Sequence, residues 1–184
     1  MKRLLTAVCC MTLLSIPALA QKKAHEAKAK GGMTDQQFVD FAAQTDMVEA
    51  NLGQLAQNAA DNQQVKDYGQ TLVTDHTQDF GNLKSAAQQA NLTVPDAIDA
   101  AHNKSIIDPF QKLKGKAFDH KYIQEMIAGH TKALEMYKKE AADAENPAIK
   151  SYAETAIPVL EKHLGGAKDL MNTKASAASA KGTK

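Results

Sequence analysis

Cysteine and arginine are almost absent from this chain, and tryptophan is missing. The two cysteines, Cys9 and Cys10, lie among the first ten residues, so the rest of the chain can hold no disulfide, thiolate metal ligand or cysteine nucleophile. The single arginine is Arg3. The chain beyond Arg3 therefore lacks guanidinium groups, which form bidentate hydrogen bonds with phosphate or guanine.

Basic charge is also scarce in the body of the chain. Residues 21–32 carry four lysines and one glutamate, and residues 172–184 carry three lysines and no acid, whereas residues 33–171 hold 13 lysines against 20 acids. An acidic body lacks the basic surface that nucleic acid requires, so we expect no nucleic-acid partner. The segments 21–33 and 173–184 are predicted to be disordered, and their lysines indicate weak contact with an acidic envelope surface. The sequence leaves the oligomeric state open.

Long apolar runs are missing beyond the N-terminus. Residues 1–3 are Met-Lys-Arg, residues 4–19 carry no charge, and residues 18–20, Ala-Leu-Ala, match a cleavage site. This pattern predicts a secretory signal peptide over residues 1–20, cut before Gln21. No later segment reaches the roughly 18 apolar residues of a membrane span. We therefore expect an exported chain without a transmembrane span, located in the periplasm or, alternatively, associated with the outer membrane.

Patterns that form sheets are absent as well. Aromatic residues make up 5% of the chain, and β-branched residues do not alternate over a useful length. Alanine, glutamine, lysine, leucine and glutamate dominate instead, which is the composition of a helical domain. Apolar residues recur three and four positions apart in four stretches. The four predicted helices begin at Thr34, where Gln37 completes a capping box, near Asp61 or Asn62, near Lys116, and at the N-cap Asn146 before Pro147.

The connections between these helices indicate their arrangement. The turns near residues 61 and 146 are so short that each flanking pair must form an antiparallel hairpin. Residues 91–114 contain two prolines, are long enough to travel the length of a helix, and are expected to include a short helix over 95–104. The sequence therefore predicts an all-α domain over residues 34–172. Its fold is a ferritin-like four-helix bundle, two antiparallel helical hairpins joined by a long crossover.

Polar side chains interrupt the apolar stripes that should face the interior. Glu49, His76, His130 and His163 lie on the first, second, third and fourth helix. If both turns lie at one end of the bundle, their positions differ by no more than roughly 8 Å along its axis. Asp75 adjoins His76 and is a ligand, a group that orients a ligand, or a flanking polar residue. Because helical bundles build metal sites from inward carboxylates and imidazoles, these five residues form the candidate metal site.

The same residues have a second interpretation. Buried histidines can pair with carboxylates or backbone carbonyls without any ion, because buried polar groups must find partners. If an ion is bound, a mononuclear site rich in imidazole suits iron, zinc, copper or nickel better than magnesium or calcium. A metal site and a buried His–carboxylate network both stay open at the level of the sequence.

Four segments carry a resemblance to a known family: Phe38–Glu49, Leu72–His76, Phe118–His130 and Ile157–Leu164. As a set they resemble the domain-of-unknown-function 4142 family of small exported bacterial proteins, which is grouped with ferritin-like folds. The resemblance covers about residues 34–172. It implies a helical bundle and an envelope location, and it implies no established reaction.

The Glu-x-x-His motif of classical di-iron proteins is missing. The residue three positions before each inward histidine is apolar: Val73, Ile127 and Leu160. Iron storage and ferroxidase activity are therefore not expected, and no nucleophile or phosphate-binding motif indicates an enzyme. We interpret the chain as an exported binding or stress-related accessory protein. The alternatives are a metalloenzyme or metal-handling protein for oxidant defence, and a purely structural helical module.

Overall fold

Four long helices make up most of the structure, a computed structural model that describes residues 33–181, with side chains through residue 173. They are α1 (Asp35–Ala59), α2 (Gln63–Ala90), α3 (Gly115–Asp143) and α4 (Pro147–Lys181). The described residues include no strand, and none of their helices combines the length and apolar character needed to cross a membrane. The predicted signal peptide and basic segment, up to residue 32, lie outside the described residues. The helical backbone of α4 continues into the segment 173–184, which the sequence assigns to a disordered tail.

Side-chain caps define three of the four helix starts, as the sequence predicts. The Thr34 hydroxyl accepts a hydrogen bond from the Gln37 N–H at 3.2 Å, and Gln37 Oε1 accepts one from the Thr34 N–H at 2.9 Å, which completes the capping box. Asn62 caps α2 and Asn146 caps α4, each accepting a bond at 2.9 Å from the N–H two residues on. By contrast, α3 begins at Gly115 without a side-chain cap.

The helices form two antiparallel hairpins, α1–α2 and α3–α4, packed side by side so that α1 contacts α3 and α2 contacts α4. The predicted bundle of two hairpins joined by a long crossover is therefore confirmed. The α1–α2 pair packs tightly where Gly53 faces Gly69. A Cβ atom on Gly53 would lie 2.5 Å from the Gly69 carbonyl oxygen, so these helices pack backbone to backbone one turn from Glu49.

The two hairpin turns lie at opposite ends of the bundle, so the expectation that they share one end is wrong. Asp119, at the start of α3, accepts hydrogen bonds from the backbone N–H groups of residues 61 and 62 in the first turn, at 3.0 and 3.2 Å. Asp35, at the start of α1, accepts bonds from the N–H groups of residues 145 and 146 in the second turn, at 3.1 and 2.7 Å. The start of each helix thus contacts the end of the other, and α1 and α3 run antiparallel.

The crossover between α2 and α3 lies against α1 and contains short helical turns. They are Ala100–His102, the π-helical Asn103–Ile107 and Asp108–Gln111. The short helix expected from residue 95 begins five residues later. The reason is its cap: the Asp99 carboxylate accepts a hydrogen bond from the His102 N–H at 2.8 Å.

Two apolar cores fill the bundle, one toward each end, with a polar layer between them. The first joins the starts of α1 and α4 to the ends of α2 and α3, and its largest fully buried residues are Phe38, Leu83, Tyr137 and Ile149. The second, toward the other end, includes Leu52, Leu72, Phe118, Tyr122 and Met126. The polar layer consists of Asp46, Glu49, His76, His130 and His163, each exposed by 4% or less.

Candidate metal centre

The structure brings the inward residues of all four helices together in the polar layer. The His163 ring lies 5.2 Å from both the His76 and the His130 ring, and the latter two are 5.8 Å apart, measured between ring centroids. One ring nitrogen from each histidine can be chosen so that the three atoms lie within 4.8 Å of one another. Each histidine comes from a different helix, so the bundle itself sets this geometry.

Glu49 faces two of these histidines through a single oxygen. Its Oε2 atom lies 2.8 Å from His76 Nε2 and 2.9 Å from His130 Nε2. These are ion-pair distances, but neither contact is aligned as a hydrogen bond, and His163 Nδ1 also has no hydrogen-bond partner. Within the cluster, His163 Nδ1 is therefore the buried nitrogen with neither a hydrogen bond nor an ion pair. Such a group costs about 1–3 kcal/mol when it stays unsatisfied, so the cluster calls for an explanation.

The opposite nitrogen of each ring is hydrogen-bonded away from the cluster. His76 Nδ1 pairs with Asp46 Oδ1 at 2.9 Å, and His163 Nε2 pairs with Asp75 Oδ2 at 2.8 Å. His130 Nδ1 donates to the carbonyl oxygen of Met126, one helical turn earlier, at 2.8 Å. These bonds fix the orientation of the rings, and in the neutral tautomers they leave a lone pair on each inward nitrogen. Carboxylates and carbonyls behind the rings are the usual support of metal-binding histidines.

Two acidic residues, Asp75 and Asp46, support the histidines from behind. The sequence analysis placed only Asp75 in the candidate site. Asp75 does not join the inward group, and its carboxylate supports His163 on the neighbouring helix with the side chain 29% exposed. Asp46 was missed altogether, although it is fully buried and holds His76. Its position three residues before Glu49 places both carboxylates on one face of α1, and that spacing was the available signal.

Burial and neighbouring charges shift the pKa values of the ionisable groups in this layer in opposite directions. Burial raises the pKa of Asp46 to about 7, although its bond to His76 opposes that shift. Burial would also raise the pKa of Glu49, but the positive charges of His130 and His76 hold it well below its usual range. Burial alone would lower the pKa of His76, yet Glu49 and Asp46 raise it to about 10. Burial lowers the pKa of His163 to about 4, so this ring is neutral near pH 7.

The donor set has the chemistry of a site for a borderline transition metal: three imidazole nitrogens and one carboxylate oxygen. With metal–nitrogen bonds of about 2.0–2.1 Å, two ligands of a tetrahedral ion lie about 3.4 Å apart. The histidine nitrogens lie within 4.8 Å of one another, so the widest pair must approach by up to roughly 1.4 Å to close on an ion. Rotation of the side chains must supply that movement.

A cavity of about 210 Å³ borders this cluster on the α1–α3 side. Glu49, Gly129, Glu125, Lys132 and His102 contribute to its wall together with apolar side chains of α1, α3 and the crossover. A Cβ atom on Gly129 would lie 3.0 Å from Glu49 Oε1, so the missing side chain makes room for the carboxylate. One oxygen of Glu49 thus faces the histidines, and the other lies beside a residue of the cavity wall.

Solved structures of CopM have the same fold. The Cu(II)-bound form has a TM-score of 0.65 and 18% identity, covering 78% of this chain and 99% of that one. The Cu(I)-bound form has a TM-score of 0.64 and 19% identity, covering 77% and 97%. The apo form has a TM-score of 0.59 and 18% identity, covering 77% and 98%. At this level of identity the likeness shows the fold alone.

A search of curated proteins found no match. The model of one family, described as "Domain of unknown function (DUF4142)", matches residues 19–170, which is most of the chain. This is the family that the four sequence segments resemble. The chain therefore belongs to the domain-of-unknown-function 4142 family.

Proposed function

We propose that this chain binds one transition-metal ion in the middle of the bundle and serves as a metal-binding accessory protein of the cell envelope. The ligands are His76 Nε2, His130 Nε2, His163 Nδ1 and Glu49 Oε2. The observation that carries the proposal is the set of buried ring nitrogens that face one another without hydrogen bonds while their rings are held from behind. A His–carboxylate network without an ion would pair His76 and His130 with Glu49 but would leave His163 Nδ1 without a partner.

Copper(II) is the ion we propose, with zinc as its nearest competitor. Among divalent first-row metals, copper(II) has the highest affinity for a site of nitrogen and oxygen donors, whereas copper(I) prefers sulfur. The CopM structures that share this fold include a Cu(II)-bound form. Four protein donors fill four coordination positions, in a tetragonal arrangement for copper(II) or a tetrahedral one for zinc, whereas catalytic sites keep a position for water. The ligand set therefore favours binding over catalysis.

The N-terminal pattern of a basic start, an apolar run and an Ala-Leu-Ala sequence supports action after export, in the periplasm. In that compartment the protein would hold an ion that is harmful when free. A role in resistance to metal or oxidant stress follows from such binding.

Elemental analysis tests the proposal directly. Untagged protein, residues 21–184, is reloaded separately with copper(II), zinc and iron(II) and then desalted. We expect about one copper per chain in the wild type and none above background in His163→Ala. His120→Ala is the matched control, because His120 is exposed on α3 and should leave the stoichiometry unchanged. Equal metal content in the wild type and His163→Ala would overturn the assignment and leave a buried polar network.

Gly129→Ala should weaken metal binding without touching a ligand. The added Cβ would lie 3.0 Å from Glu49 Oε1, so the carboxylate must move by a few tenths of an ångström away from its position on the histidines. We expect about a tenfold loss of affinity, in the range seen when the groups around a metal site are disturbed. Competition with a chromophoric chelator measures it.

Gly81→Ala serves as the comparison for Gly129→Ala. A Cβ atom at Gly81, inside α2, meets nothing within 4 Å. This substitution should keep the affinity and raise the free energy of unfolding by about 0.5–1 kcal/mol through helix propensity. Unchanged affinity in Gly129→Ala would contradict the expectation that displacing the Glu49 carboxylate weakens the site.

A further inference from the structure

We propose that divalent transition-metal ions reach the histidines through the cavity between α1, α3 and the crossover, and that Glu49 passes them inward. This inference rests on the proposed function and concerns the path to the same site. It arises because the site itself is closed: each of its ligands is exposed by 4% or less, so an ion cannot reach the site from the surface directly.

The cavity has the size and the donors that such a path needs. Its volume of about 210 Å³ is far more than one water molecule requires, so a partly hydrated ion fits. His102 and Glu125 contribute an imidazole and a carboxylate to the wall, and Glu49 contributes the carboxylate that touches the histidines. An ion moving inward therefore exchanges water for protein donors instead of crossing an apolar layer.

Glu49 is the residue that connects the cavity to the site. Its Oε2 atom lies 2.8 and 2.9 Å from the inward nitrogens of His76 and His130. Its Oε1 atom would lie 3.0 Å from a Cβ atom on Gly129, and Gly129 lines the cavity. One oxygen of the Glu49 carboxylate thus lies beside the cavity, and the other faces the histidines. An ion held by Oε1 needs only a short movement to reach Oε2.

The larger groove between α1 and α2 is the competing path. It has a volume of about 440 Å³ and is lined by Asp46 and His76. However, Asp46 occupies the Nδ1 atom of His76, and the inward Nε2 atom is on the opposite side of the ring. An ion arriving from this groove would meet the rear of a ligand, so we assign the path to the other side.

The crossover closes the cavity and is fastened by Gln44. This buried side chain donates to the Ala97 carbonyl and accepts from the Asp99 N–H, both at 3.0 Å, and it also lines the cavity. Gln36, two turns earlier on α1, holds the Thr93 backbone with bonds at 2.8 and 3.1 Å and also accepts one from the Thr93 hydroxyl at 3.3 Å. Two glutamines of α1 therefore hold the crossover, and of these two Gln44 alone lines the cavity.

Loading kinetics with a blocked cavity test the path. Apo protein is mixed by stopped flow with copper(II) on a chromophoric chelator, and both the rate of transfer and the final stoichiometry are recorded. Thr45→Phe places a ring in the cavity and should slow loading by about tenfold or more, with one ion still bound at the end. Thr71→Phe is the matched control, since Thr45 and Thr71 both donate to the carbonyl four residues earlier but Thr71 is exposed on α2. If Thr45→Phe does not fold, Thr45→Leu replaces it.

Loosening the crossover should have the opposite effect. Gln44→Ala removes the two bonds beside the cavity and should load copper severalfold faster than the wild type, whereas Gln36→Ala removes the bonds to Thr93, away from the cavity, and should not. Loading of Thr45→Phe at the wild-type rate would overturn the path. Equal acceleration by Gln36→Ala and Gln44→Ala would also contradict it. A wild type that binds no copper at equilibrium would instead refute the proposed function, a failure that the final stoichiometry separates from the rates.

Discussion

The double variant His76→Ala/His130→Ala should lose the entire stabilisation that copper(II) gives to the wild type. An ion that binds the native state alone stabilises it by about 2.7 kcal/mol at a free concentration 100 times the Kd. For a domain of this size, that corresponds to a rise in Tm of about 5–10 °C. Thermal unfolding followed by circular dichroism, with copper(II) and with a chelator, measures the difference. In the double variant the two curves should coincide.

The double variant should also be less stable than the wild-type apo protein. Removing the two rings leaves the buried carboxylates of Asp46 and Glu49 without their partners, at a cost of about 1–3 kcal/mol each. The His120→Ala control should show neither effect because its ring is exposed. A rise in Tm with copper(II) that survives in the double variant would place the ion elsewhere on the chain and refute the proposed ligands.

The candidate site could be predicted from the sequence because helical periodicity places residues on faces. Glu49, His76, His130 and His163 interrupt apolar stripes, and the structure finds all four in one layer. Asp46 was missed because periodicity does not give the width of a buried face. Which residues beside the stripe become buried depends on how closely the neighbouring helix approaches, and α1 meets α2 backbone to backbone at Gly53 and Gly69.

The position of the turns follows from the length of the crossover, which the expectation of a shared end did not take into account. Each hairpin is antiparallel, so a crossover that runs the length of a helix places the two turns at opposite ends of the bundle. Contacts between distant residues hold this arrangement, such as those of Asp119 with residues 61 and 62 and of Asp35 with residues 145 and 146. The cluster was predicted although the turns were placed wrongly, because each of its residues lies near the middle of a long helix. Reversing a hairpin leaves the midpoint where it was.

Contacts between residues far apart in the sequence also hold the crossover, and the sequence did not predict them. Gln36 and Gln44 look like ordinary surface residues of a helix, and their partners lie more than 50 positions away. The cavity beside Glu49 exists because these side chains fix the path of residues 93–99 over α1. The composition and spacing of the sequence predicted a crossover, but not the face that it covers.

Asp119→Ala is expected to lower the free energy of unfolding by about 2–4 kcal/mol, although Asp119 lies away from the site. The carboxylate is 1% exposed and accepts hydrogen bonds from two backbone N–H groups of the first turn, at 3.0 and 3.2 Å. Bonds to a charged acceptor contribute about 1.5–3 kcal/mol each, and water at the turn replaces part of that loss. Denaturation in guanidinium chloride, with the midpoint and slope fitted together, measures the change.

Asp35→Ala is the natural comparison, because Asp35 binds the second turn in the same way but is only partly buried. Water can reach its partners once the carboxylate is gone, so we expect a loss of about 1 kcal/mol. Asp119→Asn should fall between the wild type and Asp119→Ala, since an amide keeps one acceptor oxygen and turns a donor toward the second N–H. If the two alanine variants lose equal stability, burial does not strengthen these caps. No loss in either alanine variant would mean that the join between the hairpins depends on the apolar cores alone.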